Sequence, residues 1–539
     1  MNQNPDYIIV GAGTAGCVLA NRLTEDGTQT VAVLEAGPKD DYLWIHIPIG
    51  YAKTMFHPVY NWCYYTEPDP NMNGRKVFWP RGRGLGGSSS INGLIYIRGQ
   101  SADYDRWSDA GNNGWSWKEV LPYFIKCEHN SDAKIAVRPT HGTGGPLWGT
   151  SIPTKHPLMD AIIAGGEEIG VPHTDDFNGG DQEGVGYFQL FTKHGWRCSG
   201  AVAYLRPAQK RKNLRVEVNA RATRILFDGT RAVGVEYTQH GVTQTLRANR
   251  EVLLTAGALQ SPQLLMLSGI GPETHLREHG IKVLHHLPGV GGNLQDHLQL
   301  RNMYKVKQPI TTNDDLQSLW RKMGIGWQWI TQRSGPLAIG VNQGGMFTRI
   351  LPESQTPDIQ FHFSAMTADM AGGLTHPWSG CTFSVCQLRP ESRGEVRLKT
   401  SNPLDAPAMY SNYLSHETDR HCAIESIKFS RKLARTKALE DLIGEEYRPG
   451  NATQSDDEIL EFARNYGATI FHPSGTCKMA PDTDPEGVVD ARLRVRGITG
   501  LRVIDCSIMP TLISGNTNAP VVMIAEKAAD MIKSETRFR

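Results

Sequence analysis

The 539-residue chain has nine cysteines, and no two of them fall in a CxxC or zinc-ligand spacing. Cysteines placed this way predict reduced thiols, as in the cytosol, not a disulfide frame or a zinc knot. No sign of charge is in surplus: 56 Lys and Arg stand against 55 Asp and Glu. That balance argues against a nucleic-acid coat and against a polybasic membrane anchor. No apolar run approaches the roughly 18 residues of a membrane-spanning helix. The opening MNQNPDYIIVGAG lacks a basic patch and an apolar core, so no secretory signal is expected. HExxH is missing, and His285-His286 reads as an exposed pair, which leaves metal catalysis little support.

Glycine is abundant, with 56 residues, about a tenth of the chain against roughly 7% on average. The glycines gather in short loops. The first follows Asp6-Tyr-Ile-Ile-Val10, a β-branched and aromatic run that predicts a buried parallel strand. Gly11-Ala-Gly13-Thr-Ala-Gly16 comes next, then helically spaced residues 17–23, then a second buried run, Val31-Ala-Val-Leu-Glu35. Strand, GxGxxG, helix, strand and acid within about thirty residues form a dinucleotide fingerprint in its required context. Gly11 serves the tight turn, Gly13 the approach of backbone to pyrophosphate, and Gly16 the packing of helix on strand. The helix N-terminus offers free N–H groups to phosphate, and Glu35 can accept from ribose hydroxyls.

A second Gly/Ser loop, WPRGRGLGGSSSING at 79–93, offers another backbone cradle, with Asn92 and serines as hydrogen-bonding groups. A flexible linker is the competing reading. Residues 214–218, 233–237 and 251–257 read as further strands, with Asp228-Gly229 as a turn. Near the end, 500–505 reads as a strand that feeds a polar turn, SGNTNAP, and a helix over 520–532. Asn516 and Asn518 are either helix caps or site residues. Between residues 300 and 465, the runs 359–363, 381–386 and 392–399 alternate as strands, and 419–437 is helical. The segment SLWRKMGIGWQWITQ reads as a core or pocket helix, with a membrane or partner surface as the alternative. Length allows two to four units, and two large ones are expected.

Together these segments resemble the glucose–methanol–choline (GMC) family of FAD oxidoreductases, closest to its bacterial choline dehydrogenase-like and alcohol dehydrogenase branch. The matching pieces run in order: DYIIVGAGTAGCVLANRL at 6–23, VAVLEAG at 31–37, GRGLGGSSSINGLIYIRG at 82–99, TAGALQSPQLLMLSGIGP at 255–272, PGVGGNLQDH at 288–297, FHPSGTCKM at 471–479, LRVIDCSIMP at 501–510 and SGNTNAPVVMIAEKAAD at 514–530. The resemblance implies an α/β fold, in which a Rossmann-type FAD-binding domain (1–160, 195–300 and 466–539) carries an α+β substrate domain (161–194 and 301–465) on a mixed or antiparallel sheet. It implies one FAD and oxidation of an alcohol by hydride transfer to flavin N5. His472 matches the family's catalytic histidine and Asn516 the His-or-Asn partner. Cofactor contacts carry over to Gly11, Gly13, Thr14, Ala15, Gly16, Glu35, Ala36, Arg83, Gly84, Gly87, Ser88, Asn92, Gly93 and Leu94. They carry over also to Ala222, Ala256, Asp505, Cys506, Asn516 and Thr517. Where some members tether flavin through histidine, this chain has Ile91, so dissociable FAD is expected. Ala480 departs from a common glycine, without expected consequence.

The expected chemistry is oxidation of a primary alcohol to its aldehyde. Histidine, with an ordinary pKa of about 6.5, suits the removal of the hydroxyl proton. Electrons would pass to a quinone or a carrier protein. Alternatives are an oxidase that makes peroxide from oxygen, and a flavin-containing hydroxynitrile lyase. The expected location is the cytoplasm, or peripherally the inner membrane. Tyr51, Phe56, Tyr60 and Trp62 are candidates for an aromatic cage, should the alcohol be choline.

Overall fold

The computed structural model describes residues 4–369 and 373–537. Every buried apolar run of the nucleotide region becomes a parallel strand. The order across this five-stranded sheet is Leu214–Glu217, Val31–Leu34, Tyr7–Val10, Glu251–Leu254 and Leu501–Val503. Residues 7–10 and 31–34 are buried throughout, as expected of strands covered on both faces. Helices Thr14–Thr24 and Asn518–Arg537 pack against one another, and Thr14 Oγ1 donates to Asn518 Oδ1 at 2.9 Å. The run 233–237 lies elsewhere, in a separate antiparallel hairpin sheet over Ala220–Asp228, Arg231–Gln239 and Val242–Arg247.

A second, larger sheet is antiparallel throughout. Its order is Ile443–Arg448, Leu298–Val306, Gly380–Gln387, Ile359–Ser364, Asn342–Thr348 and Gly184–Tyr187. Ala468–Thr469 adds alongside Leu298–Val306. Alternation gives the sheet two faces. Phe361, Phe363, Phe383 and Val385 join Ile427 and Leu433 of helix Glu417–Ala434 in an apolar core. The opposite face turns toward the nucleotide region. The run 392–399 forms only a short strand, Glu395–Arg397, paired with Ala408–Tyr410 and outside this sheet.

Helix Leu319–Gln332, expected as a core or pocket helix, lends Ile325 to the cavity wall but is not a core helix. Only Trp329 is buried in it, while Trp320 and Trp327 are 81% and 68% exposed. Its apolar period is real, but most of that face meets no other part of the described fold. No helix among the described residues is long and apolar enough to cross a membrane. All nine cysteines are free.

Candidate active site

The carboxyl ends of the parallel strands open into a cavity of about 610 Å³ that extends to the polar face of the large sheet. Open α/β sheets place ligands at this edge. The three fingerprint glycines differ in what they face. Gly11 holds φ +103°, and a Cβ there would meet Thr255 O at 2.8 Å. At Gly16 it would stand 1.9 Å from Gly11 O, so this glycine lets helix meet strand. At Gly13 the nearest protein atom would be Thr255 O at 3.8 Å, leaving room on the cavity side. Gly13 precedes the helix without a side-chain cap, so the first N–H groups of Thr14–Thr24 are left for a ligand.

Glu35 lines the cavity beyond its strand. Its carboxylate accepts from Ala12 N (2.8 Å), Gly37 N (2.8 Å) and Gly84 N (3.0 Å). Burial raises its pKa, and these three donors oppose the rise. Glu35 therefore ties the second glycine loop to the first, a role its place in the fingerprint does not reveal. Thr14, Ala15, Ala36, Gly87, Ser88, Asn92, Gly93, Leu94, Ala222, Ala256, Asp505, Cys506 and Thr517 also line the cavity. Gly16, Arg83 and Gly84 do not. The Arg83 guanidinium lies 5.0 Å from the centre of the Trp62 ring. A stretch of small residues, an open helix N-terminus and a buried acid fit a long dinucleotide such as FAD. Ile91 also lines the cavity and offers no nucleophile for a tether.

His472 and Asn516 meet at the far end. Phe471, just before the histidine, holds φ +73°, uncommon for a residue with a side chain. Arg81 Nη2 donates to Phe471 O at 2.6 Å, and Phe471 N donates to Thr469 Oγ1 at 2.7 Å. His472 N donates to Asp296 Oδ1 at 2.7 Å. Thr469 Oγ1 donates to the other oxygen of Asp296 at 2.5 Å, and the Tyr413 hydroxyl donates to it as well. Burial pushes Asp296 up to about 6 against these donors. Asp296 thus clamps the backbone of the histidine.

His297, the last residue of PGVGGNLQDH, touches the imidazole itself. Its Nε2 lies 2.9 Å from Leu388 O, and its Nδ1 lies 2.9 Å from His472 Nδ1. Burial takes His297 down to about 4, so it is neutral at pH 7. A carbonyl can only accept, so the one proton of His297 sits on Nε2. Its Nδ1 must then accept from His472 Nδ1–H. That leaves the lone pair of His472 on Nε2, 3.3 Å from Asn516 Nδ2 and facing the cavity. Gln360 Nε2 donates to Asn516 Oδ1 at 3.2 Å and so orients the amide. Burial, then His297, His362 and Arg81 nearby, hold His472 well below its ordinary pKa. It is therefore neutral at pH 7.

Sequence reading missed Gln360, His362, Gln299 and Arg301, which line the cavity or orient Asn516 from the large sheet. A usable signal lay in the alternation of IQFHFS, whose polar members Gln360 and His362 share one face.

Fold and site together define a dinucleotide-dependent oxidoreductase. Family models described as GMC oxidoreductase match residues 5–299 and 390–525. Mitochondrial choline dehydrogenase of Mus musculus is 44% identical over 534 residues, 98% of this chain and 89% of that protein. An alcohol dehydrogenase [acceptor] of Pseudomonas putida is 43% identical, over 98% of this chain and 95% of its own. The crystal structure of pyridoxine 4-oxidase from Mesorbium loti superposes with TM-score 0.88 at 31% identity, covering 98% and 99% of the two chains. The chain belongs to the GMC oxidoreductase family. It is an FAD-dependent enzyme that oxidises CH–OH donors.

Proposed function

We propose that the chain oxidises an alcohol, primary by preference, to its aldehyde, with His472 as the base. When bound, FAD supplies the two-electron acceptor that takes hydride from the carbinol carbon at N5. Hydride leaves readily only as the O–H proton departs, and the Nε2 lone pair of His472 takes that proton. Asn516 Nδ2–H, held by Gln360, points to the same spot and stabilises the alkoxide as charge develops. His297 then lies against an imidazolium, and its own neutrality keeps the pair from competing for protons. Gly11, Gly13, Thr14, Glu35, Asn92, Ala222, Asp505 and Thr517 are the residues that hold the cofactor. The FAD is dissociable, because Ile91 occupies the tethering position.

One observation carries this reading: the Leu388–His297–His472 chain fixes a lone pair at the cavity, beside an amide donor. The experiment is anaerobic stopped-flow reduction of the bound flavin by an alcohol, comparing wild type with His472→Ala. Electrons then pass to a quinone or a carrier protein. Assaying peroxide against dye reduction under air tests that step; peroxide accounting for every turnover would make the enzyme an oxidase instead. Choline, named in several relatives, is one alcohol this reading admits.

A further inference from the structure

The polar face of the large sheet carries a row of three residues. Arg301 stands opposite Ser384, and Ser384 opposite His362, on three neighbouring strands. All three line the cavity. His362 marks the reacting end, two residues along its strand from the Gln360 that holds Asn516. Arg301 lies two strand spacings away, or about 10 Å.

Among the described residues, the Arg301 guanidinium makes no hydrogen bond or ion pair and lies over no aromatic ring. Two buried arginines have acid partners, Arg98 with Glu128 at 2.8 Å and Arg502 with Glu251 at 2.7 Å, and Arg197, which has none, donates to the carbonyls of Ile45, Pro48 and Asn92. Asp369 is in electrostatic range of Arg301 but is already bonded to Arg448 at 2.7 Å. Burial lowers Arg301 only to about 10, so it is charged at pH 7. An unpaired guanidinium in a cavity wall is costly unless something pairs with it.

A cation fares worse in the same cavity. Its two carboxylates are both engaged. Glu35 holds three backbone amides, and Asp505 accepts from Gly257 N, Ser261 Oγ and Ser507 N at 2.6–2.8 Å. Of the aromatic candidates for a cage, Phe56 stacks on Phe78 and Tyr60 on Tyr42, both outside the cavity lining. Trp62 already carries Arg83 and Arg221, each 5.0 Å from its ring centre. Of these four, Tyr51 lines the cavity without a cation on it; Phe471 lines it too, and no free carboxylate stands with either ring.

We propose that the preferred substrates are alcohols that also bear a carboxylate, with Arg301 pairing the carboxylate while the hydroxyl sits between His472 and Asn516. This narrows the alcohol-oxidation reading and rests on it. The carboxylate is a handle and is unchanged by the reaction. Arg suits it through two parallel N–H donors.

The test uses the FAD-loaded enzyme with a dye acceptor. The panel is glycolate, 4-hydroxybutanoate and 6-hydroxyhexanoate, the methyl ester of each, and choline. For the best hydroxy acid, kcat/KM should exceed that of its ester by at least about tenfold, the scale of a charged hydrogen bond. Arg301→Met should bring that ratio to about one, and Arg301→Lys should restore part of it. Flavin content and melting temperature show that both variants fold. Equal rates for acid and ester in wild type, choline as the best substrate, or a ratio unchanged in Arg301→Met would each overturn the proposal. Bound flavin that no alcohol of the panel bleaches would instead overturn the oxidation reading beneath it.

Discussion

Replacing His297 by phenylalanine isolates the part of the site that the tautomer deduction invokes. Phe keeps the ring volume but accepts no proton. His472 Nδ1–H then loses the acceptor now 2.9 Å away, inside a fully buried pocket. An orphaned buried donor costs about 1–3 kcal/mol. The imidazole escapes that cost by moving its proton to Nε2 or by turning, and either change removes the lone pair from the cavity. At about 1.4 kcal/mol per factor of ten, flavin reduction should slow roughly 5- to 150-fold. His297→Gln is the control. Its amide oxygen can accept from His472 Nδ1–H while its NH2 donates to Leu388 O, so the rate should stay within about fivefold of wild type. Both variants are assayed by anaerobic stopped flow at saturating alcohol, normalised to bound flavin. A phenylalanine variant as fast as wild type would refute the reasoning. So would a glutamine variant as slow as the phenylalanine one, because shape and not proton placement would then control the rate.

The glycines of the fingerprint should separate ligand contact from packing. Gly13→Ala meets no protein atom closer than 3.8 Å and should fold, yet lose FAD at least about tenfold in affinity, because its methyl enters the cavity. Gly16→Ala places a methyl 1.9 Å from Gly11 O and should lower the melting temperature through a cost of about 1–3 kcal/mol. Acid precipitation of wild type should leave yellow flavin in the supernatant, and flavin retained in the pellet would contradict dissociable FAD. The pH profile follows from a depressed histidine: in the proposed mechanism His472 acts as base when neutral, and its proton binds only well below pH 6.5. The kcat/KM of alcohol oxidation should therefore be level above neutrality and fall only below pH 6.5, and an acid limb centred above pH 7 would contradict the assignment.

What the sequence revealed depended on distance along the chain. The dinucleotide fingerprint is readable because strand, turn and helix are contiguous, and each glycine acts within a few residues of itself. His472 and Asn516 are 44 residues apart, and only their resemblance to a known pattern joined them. The row Arg301–Ser384–His362 was not readable, since it needs the register of three strands spread over more than sixty residues. Arg301 on its own looks like any strand arginine. The role of His297 was hidden for another reason: a proton position depends on Leu388 O, a backbone atom that carries no sequence signal. In helix 319–332 the periodicity marked an apolar face, but it could not say that Ile325 and Trp329 face the fold while Trp320 and Trp327 face outward.

The central claim is that His472 takes the hydroxyl proton. Anaerobic reduction of the flavin in His472→Ala by the best alcohol tests it most directly. The account predicts a protein that still binds FAD and whose flavin bleaches at least about a hundredfold more slowly than wild type. A flavin that bleaches at nearly the wild-type rate would contradict it.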